Sequence, residues 1–340
     1  TSGAAARLLE RHFTWCLALA EAAAPELKGR AGLLWLEQLD REHDNLRSAL
    51  RWGLAQGRKV EVLRLSAALH WYWDHRGYLS EGRAWLNAAL QQADAGEAGG
   101  LAPPAVRAHA LLGAAALAFN QGDWAAAGTY AQESVTLFRQ SEDRAGLTLA
   151  LLRLGFAAGP AGEQGRRLLD EALALAQTLA PTPADQWVVA LTYYVCGQGI
   201  YFRGDYPLAR VYLRQALRLL QEAGDLFFLP RVLSMLAGVD LGLGDYALAR
   251  TRLEESLALL AASNDLRTLA LVKSGLGDAA RCQGDYARAE QVYQESLALY
   301  RTLGNTADIP AMLHNLGYVA LGQHDVPAAS AWFVASLVQQ

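Results

Sequence analysis

The sequence repeats itself every 40 residues, and this period constrains the fold more than any other feature of the chain. The motif Gly204-Asp205-Tyr206 recurs at that spacing as Gly244-Asp245-Tyr246 and Gly284-Asp285-Tyr286. One further step reaches His324-Asp325-Val326, which keeps the aspartate, and an upstream copy reads Gly122-Asp123-Trp124. A period of this length is typical of solenoid proteins, in which each unit packs mainly against its neighbours.

Each unit of the repeat predicts two antiparallel helices. Apolar residues recur at helical spacing, and the Gly-Asp pair is expected to end the first helix and cap the second. The aromatic residue after the aspartate is expected to fill the space between the two helices. Gly162-Glu163 reads as a worn copy of the same turn. Strands are not expected, because no sustained period-two alternation occurs and the chain is rich in Ala, Leu, Arg and Gln.

A small residue occupies a fixed place in the second helix of the unit, ten positions after the aromatic or its Val326 counterpart. It should let the paired helices approach closely. The small residues at this place are Ser134, Ala216, Ser256, Ser296 and Ser336.

The repeat resembles the tetratricopeptide repeat family. Leu276-Gly277, the turn at Gly284, Ala289, Tyr293 and Ser296 match that family's leucine-glycine pair, turn, and small and aromatic packing positions. The resemblance covers about residues 105–340, as about six repeats with a degenerate unit at 145–184. It implies an all-α, right-handed α-solenoid, although the period exceeds the family's usual length of about 34 residues.

Residues 1–93 follow a different pattern and are interpreted as an N-terminal helical segment. Ala4–Ala24 and Gly32–Gln56 are predicted as long helical stretches with no turn signal inside them. A helix pair around Gly77-Tyr78 reads as an irregular first repeat. Residues 94–104 are rich in Gly and Pro and are expected to form a loop or hinge.

Two parts of this segment, residues 35–52 and 71–83, carry a second resemblance. They are similar to the region that joins the nucleotide-binding and winged-helix part to the tetratricopeptide sensor in bacterial STAND signal-transduction ATPases. Many of those are LuxR-type or maltose-regulator-like transcriptional regulators. The resemblance implies an autoinhibitory, inducer-sensing module that contacts an upstream nucleotide-binding domain.

The chain itself lacks the signals for nucleotide, nucleic-acid or membrane binding. No Gly-Lys dipeptide occurs, so no Walker A loop is possible, and ATP with Mg²⁺ is expected only in an upstream part of the protein. No other cofactor is expected in this chain. A net charge of −4 argues against direct nucleic-acid contact through bulk charge. No apolar run approaches the roughly 20 residues of a membrane span.

Location and catalysis are judged from the cysteines and the possible metal ligands. Three scattered cysteines fit a reducing, cytoplasmic setting. The first methionine is Met235, and the chain is therefore expected to be a piece of a longer protein. His12 with Cys16 and His70 with Asp74 lie one helical turn apart but lack a third ligand, so no metal site and no catalytic residue is predicted.

The candidate ligand-binding surface is the concave groove, which the first helix of each repeat lines in the tetratricopeptide family. Aromatic anchors near its middle and polar groups toward the C-terminal end would suit a binding surface. The alternative is that these rings pack between neighbouring repeats. The candidate residues are Phe119, Asn120, Phe156, Tyr194, Gln198, Tyr201, Phe202, Met235, Asp278, Arg281, His314 and Tyr318.

Two functional hypotheses follow. In the first, a protein or peptide inducer, with a small molecule also open, binds the groove and relieves autoinhibition of an upstream ATPase. In the second, the chain is a peptide-pheromone receptor or a protein–protein scaffold of tetratricopeptide repeats without an ATPase. Both are non-catalytic, because no nucleophile or oxyanion-stabilising group accompanies any acid–base pair.

Overall fold

The computed structural model describes residues 2–94, 102–261, 265–303 and 308–339. These residues form helices joined by turns, with no strand among them, and the predicted all-α helical-repeat fold is confirmed. None of the helices in this part of the chain combines the length and apolarity needed to cross a bilayer.

The chain divides into two compact units. Unit 1 comprises Thr1–Gly199 and Leu219–Asp225, and unit 2 comprises Ile200–Arg218 and Leu226–Gln340. The helices on both sides of the expected hinge, Leu79–Asp94 and Pro104–Asn120, belong to unit 1 and pack against each other. The hinge itself, residues 95–101 above all, lies outside the described residues.

Unit 1 begins with three helices and continues with helix pairs. Its helices are α1 (Ser2–Glu26), α2 (Gly32–Arg41), α3 (His43–Ala55), α4 (Lys59–Arg76), α5 (Leu79–Asp94), α6 (Pro104–Asn120), α7 (Trp124–Phe138), α8 (Arg144–Ala157), α9 (Glu163–Ala176) and most of α10 (Pro183–Phe202).

Unit 2 consists of helix pairs. Its helices are most of α11 (Tyr206–Ala223), α12 (Phe228–Gly242), α13 (Tyr246–Leu260), α14 (Leu266–Cys282), α15 (Tyr286–Thr302), α16 (Ile309–Gly322) and α17 (Val326–Val338). The even-numbered helices from α6 onward are the first helices of the repeats.

The prediction of one continuous helix over residues 32–56 is wrong. Glu42 leaves the helical conformation, with φ −99° and ψ 5°, and separates α2 from α3. Each of the two shorter helices buries its own apolar residues, such as Leu39 in α2 and Leu46 in α3. No Gly or Pro marks the break in the sequence, so tertiary packing decides it.

The Gly-Asp turns form as predicted. Gly204, Gly244 and Gly284 have φ of 81°, 83° and 80°, the left-handed region that glycine enters without steric penalty. Asp285 caps the next helix, because its carboxylate accepts a hydrogen bond from the Arg288 backbone N–H, and Asp205 does the same for Leu208. Asp245 makes no such bond.

Two positions depart from this turn. His324 adopts φ 64° although it has a side chain. Gly162 is not in the left-handed region, because its φ is −77°. The left-handed residue between α8 and α9 is Gly159, with φ 88°. The interpretation of Gly162-Glu163 as a copy of the turn is therefore wrong by three residues.

The small residue of the second helix does more than leave space, because its hydroxyl joins the two helices of a repeat. In four repeats the buried serine donates a hydrogen bond to a carbonyl in the first turn of the first helix, at 2.8–2.9 Å. The pairs are Ser134 with Ala108, Ser256 with Pro230, Ser296 with Ala270 and Ser336 with Pro310.

The aromatic residue after the aspartate makes contacts beyond those expected. Tyr206 lies against Gly242, at the end of the next repeat's first helix, and a Cβ there would come within 2.7 Å of its ring. Tyr286 lies against Gly322 in the same way. The aromatic therefore joins successive repeats in addition to packing within its own, where Tyr206 contacts Tyr201 and Trp124 contacts Phe119.

Candidate functional site

The candidate residues of unit 1 include an aromatic pair on neighbouring first helices. Phe119 on α6 meets Phe156 on α8 edge to face, with ring centroids 5.2 Å apart. The Arg153 guanidinium lies over the Phe119 ring at 5.4 Å. Trp124, which is 45% exposed, contacts Phe119 at 4.7 Å. These side chains form a partly exposed aromatic patch with one cation.

Two other candidates in unit 1, Asn120 and Tyr194, are directed into the fold. Asn120 is buried, and its amide donates a hydrogen bond to the Asp74 carboxylate on α4. Tyr194 is buried, and its hydroxyl accepts a hydrogen bond from Gln198 Nε2 at 3.1 Å. Both side chains are therefore buried, and that of Asn120 joins α6 to α4.

Unit 2 brings charged and aromatic candidates together on its first helices. On α14, Asp278 and Arg281 lie one helical turn apart, and each side chain is 32% exposed. The Tyr293 hydroxyl donates to Asp278 Oδ1 at 2.6 Å and accepts from Arg281 Nε at 3.3 Å. Arg281 Nη2 stands 3.7 Å from Asp278 Oδ1. The Tyr293 hydroxyl thus holds both charged side chains in place.

The neighbouring first helix, α16, adds two ring side chains. His314 and Tyr318 meet edge to face with ring centroids 4.9 Å apart, and both contact Phe333 on α17. The Arg281 guanidinium lies 5.8 Å from the centre of the Tyr318 ring, within the range of cation–π attraction. Tyr318 is 47% exposed, so it can contact a ligand without rearrangement.

Tyr201, at the end of α10, completes this group. Its ring lies against Gly238 of α12, where a Cβ would stand 3.5 Å from the tyrosine oxygen. Burial raises the pKa of Tyr201, and Tyr206 and Asp278 add to the effect. The next residue, Phe202, is 53% exposed and contacts Tyr201 at 5.5 Å. Met235 on α12 is half-buried.

We call Tyr201, Phe202, Asp278, Arg281, His314 and Tyr318 the helix-A surface, because all six lie on first helices of repeats. It carries both signs of charge. Burial raises the pKa of the Asp278 carboxyl, although its contacts with Tyr293 and Arg281 favour the ionised form. The group offers hydrogen bonds, an ion-pairing guanidinium and aromatic faces, which are elements of a recognition surface.

The sequence did not identify Tyr293 and Phe333 as supports of this surface. Tyr293 is fully buried and fits against Gly277, where a Cβ would lie 2.6 Å from its ring. Phe333 fits against Gly317 in the same way. Both stand seven residues after the start of their helix, and this shared spacing is the signal that could have found them.

The possible metal ligands remain dispersed. Cys16 Sγ lies 3.7 Å from His12 Nε2, and His70 Nδ1 contacts the Ala67 carbonyl oxygen at 2.6 Å. In the described ranges no group of three or more His, Cys, Asp or Glu side chains is arranged to hold a metal ion.

Comparison with known families and proteins supports the repeat assignment. A tetratricopeptide repeat model matches residues 228–302 and 268–337, which lie in unit 2. Proteins named as HTH-type transcriptional regulators in Mycobacterium bovis and Mycobacterium tuberculosis are 29% identical over 194 residues. The match covers 55% of this chain and 21% of the relatives, so the chain spans about a fifth of their length.

Solved structures share the fold at low sequence identity. A Rap protein complexed with Competence and Sporulation Factor superposes with a TM-score of 0.69 at 13% identity, covering 98% of this chain and 97% of that one. The apo form of the quorum sensor NprR from B. thuringiensis gives 0.63 at 14%, covering 90% and 86%. The Rap conjugation gene regulator of plasmid pLS20, solved with the Phr* peptide, gives 0.62 at 13%, covering 82% and 73%.

Proposed function

We propose that this chain is a non-catalytic sensor module that binds a peptide or protein on the helix-A surface. The observation that carries the proposal is the arrangement of Asp278 and Arg281, held by Tyr293 and flanked by the exposed ring of Tyr318. Charged groups that are already oriented lose little entropy when a ligand binds. Aromatic and arginine side chains dominate binding energy in protein interfaces.

The comparisons support a peptide as the ligand. Two of the structures with this fold contain bound factors, one of them described as a peptide. The mixed charge of the helix-A surface suits a segment with both acidic and basic groups. We therefore favour a peptide-binding receptor of the kind that works without an ATPase, in a cytoplasmic regulator.

The test uses peptides selected from a random display library on the intact chain. Their dissociation constants are then measured by calorimetry for the wild type and for the double variant Tyr201→Ala with Phe202→Ala. Loss of two aromatic contacts should weaken binding at least about tenfold, since such side chains contribute on the order of 1–2 kcal/mol each. Helical content measured by circular dichroism should stay unchanged.

The matched control removes two exposed apolar side chains from second helices of unit 2. Val211 on α11 and Leu248 on α13 are 62% and 38% exposed, and their double alanine variant should bind within twofold of the wild type. Peptides that bind the wild type and the aromatic variant with equal affinity would contradict the assignment of this surface.

A second candidate function is relief of autoinhibition in an upstream ATPase. The observation that favours it is that the chain matches only 21% of the length of much longer regulators. In this case the chain also contacts a nucleotide-binding domain, and ATP and Mg²⁺ bind there. The parent protein should then hydrolyse ATP faster when a selected peptide is added. An unchanged rate of ATP hydrolysis, or a parent sequence without a Walker A motif, would contradict this second function, and only the receptor function would remain.

A further inference from the structure

The loop between α1 and α2 inserts a lysine between two tryptophans of unit 1. Lys28 Nζ lies 4.9 Å from the ring centre of Trp187 on α10 and 5.7 Å from that of Trp71 on α4. The two indoles are buried and nearly perpendicular, with ring centroids 5.3 Å apart. A cation within about 6 Å of an aromatic centre is attracted to its π face. Both rings therefore act on the same ammonium group.

Two carboxylates add to the attraction that the indole rings exert on the Lys28 ammonium. Asp225, which is 1% exposed, accepts a hydrogen bond from Trp187 Nε1 at 2.6 Å. Its carboxylate and that of Asp143 both favour the charged form of Lys28. Asp143 accepts hydrogen bonds from His109 Nε2 and from the Gly146 backbone N–H. We call Trp71, Trp187 and Asp225 the cation cage.

The cage holds the half-buried ammonium of Lys28 without a direct hydrogen bond. Within the described part of the chain, Nζ has no hydrogen-bond or ion-pair partner, although an ammonium carries three donors. Burial lowers the pKa of Lys28 to about 8 in spite of the two carboxylates. The cage therefore attracts a positive charge through two π faces and a carboxylate, without a direct hydrogen bond to Nζ.

We propose that the cation cage is a binding site for an organic cation without N–H donors, a quaternary ammonium group, and that Lys28 fills it as an intramolecular substitute. A quaternary ammonium is attracted by the same π faces and carboxylate. It needs no hydrogen-bond acceptor and is hydrated more weakly than a primary ammonium. It therefore loses less solvation on entering the cage.

The loop that carries Lys28 is anchored by side chains, since Leu27 is buried and Arg30 packs against Gly224, and not by backbone bonds to distant elements. Its backbone hydrogen bonds join near neighbours only, such as Lys28 N–H to the Pro25 carbonyl at 3.3 Å and Gly32 N–H to the Gly29 carbonyl at 3.0 Å. A ligand must compete with Lys28, so removing that side chain should strengthen binding. The proposal does not depend on peptide binding in unit 2.

The experiment compares two small cations on the variant Lys28→Ala. Tetramethylammonium has no N–H donor, whereas n-propylammonium replaces the atoms that the substitution removes. Binding is measured by calorimetry and by the indole N–H signals of Trp71 and Trp187 in ¹⁵N-labelled protein. We expect saturable binding of tetramethylammonium, at least about fivefold tighter than that of n-propylammonium.

Two matched variants test the origin of the binding. Asp225→Asn, in the Lys28→Ala background, keeps the shape of the cage but removes its charge and should weaken tetramethylammonium binding. Lys59→Ala removes a lysine from the start of α4 and should leave the affinity of the wild type unchanged. Tighter binding of n-propylammonium, or binding of neither cation, would overturn the proposal.

A measurement on the wild type covers the case in which the variant does not fold. The chain has three lysines, Lys28, Lys59 and Lys273, so ¹³C-lysine labelling gives three assignable side-chain signals. Tetramethylammonium should shift the Lys28 signal alone, and no shift at high concentration would contradict the proposal. Choline and acetyl-trimethyllysine amide then distinguish a small metabolite from a methylated peptide as the source of the group.

Discussion

Gly284 adopts a left-handed backbone conformation that is unfavourable for residues with a side chain. It is therefore the clearest single-residue determinant of a repeat. Its φ is 80°, and a Cβ built there would meet no other atom within 4 Å. Any penalty for a side chain is therefore conformational rather than steric contact with the rest of the fold. The same holds for Gly204 and Gly244 at the corresponding turns.

We predict that Gly284→Val lowers the free energy of unfolding by about 2 kcal/mol or more, because a left-handed residue with a Cβ is destabilised by roughly 1–2 kcal/mol and β-branching adds to this. Urea denaturation followed by circular dichroism measures the change. Asparagine tolerates the left-handed region, so Gly284→Asn is the matched variant and should be clearly less destabilised. Equal losses for the two variants would show that the turn does not act through φ.

The residues of the candidate site show where sequence reasoning reaches its limit. The helical spacing and the turns placed Asp278, Arg281, His314 and Tyr318 on first helices, and the structure brings them into contact. The same reasoning counted Asn120 among them, but its amide bonds to Asp74, a residue 46 positions earlier. Such a partner is set by the packing of α4 on α6, which no local pattern reveals.

Among the secondary-structure elements, α3 and α5 are joined by a polar cross-link centred on Glu81. Arg47 on α3 donates two hydrogen bonds to the Glu81 carboxylate on α5, the first from Nε at 2.7 Å. Trp85 Nε1 and His43 Nε2 each lie 3.3 Å from Glu81 Oε1. The hydrogen bonds from Arg47 are the main reason that the pKa of Glu81 is lowered to about 2.

This cross-link should make stability depend on pH. An unfolded glutamate has a pKa near 4.3, so the contribution of Glu81 is complete above that pH and is lost as the pH falls toward 2. Between pH 5.5 and 3.5 we expect the wild type to lose about 1 kcal/mol that Glu81→Gln does not lose, allowing for the partial exposure of Arg47. Urea unfolding at the two pH values measures this difference.

The control for this prediction is another glutamate with an arginine partner. Glu163 pairs with Arg167 one turn away on α9, and both side chains are largely exposed, so the pair should contribute little. Glu163→Gln should therefore show the pH dependence of the wild type. A Glu81→Gln variant that follows the wild type between pH 5.5 and 3.5 would mean that the cross-link is not formed in solution.

The helices could be predicted where local chemistry decides them and not where packing does. The Gly-Asp turns and the small serines follow from φ preference, capping and size, and they are found where expected. The interruption at Glu42 has no such local signal. The loop at Lys28 likewise reads as an ordinary connection, and only its contacts with Trp71 and Trp187, far along the chain, give it meaning.

For the molecule as a whole, stability in a helical-repeat chain is expected to add up from each repeat and its contacts with neighbours. The free energy of local opening is therefore expected to differ between repeats of the same unit. Within unit 2, α15 buries Tyr293, Leu297 and Tyr300, whereas α17 exposes more than half of the accessible surface of Val334 and Leu337. Helices with fewer buried apolar contacts open at lower free energy.

We predict that backbone amides of α17 exchange with deuterium at least ten times faster than those of α15, a difference of about 1.4 kcal/mol in the free energy of local opening. Hydrogen–deuterium exchange followed by mass spectrometry on the intact chain measures both helices in one experiment. The second helix α13, which buries Ala249, Leu253 and Leu260, is the internal reference and should resemble α15. Equal protection of α13, α15 and α17 would mean that unit 2 opens as one cooperative body rather than repeat by repeat.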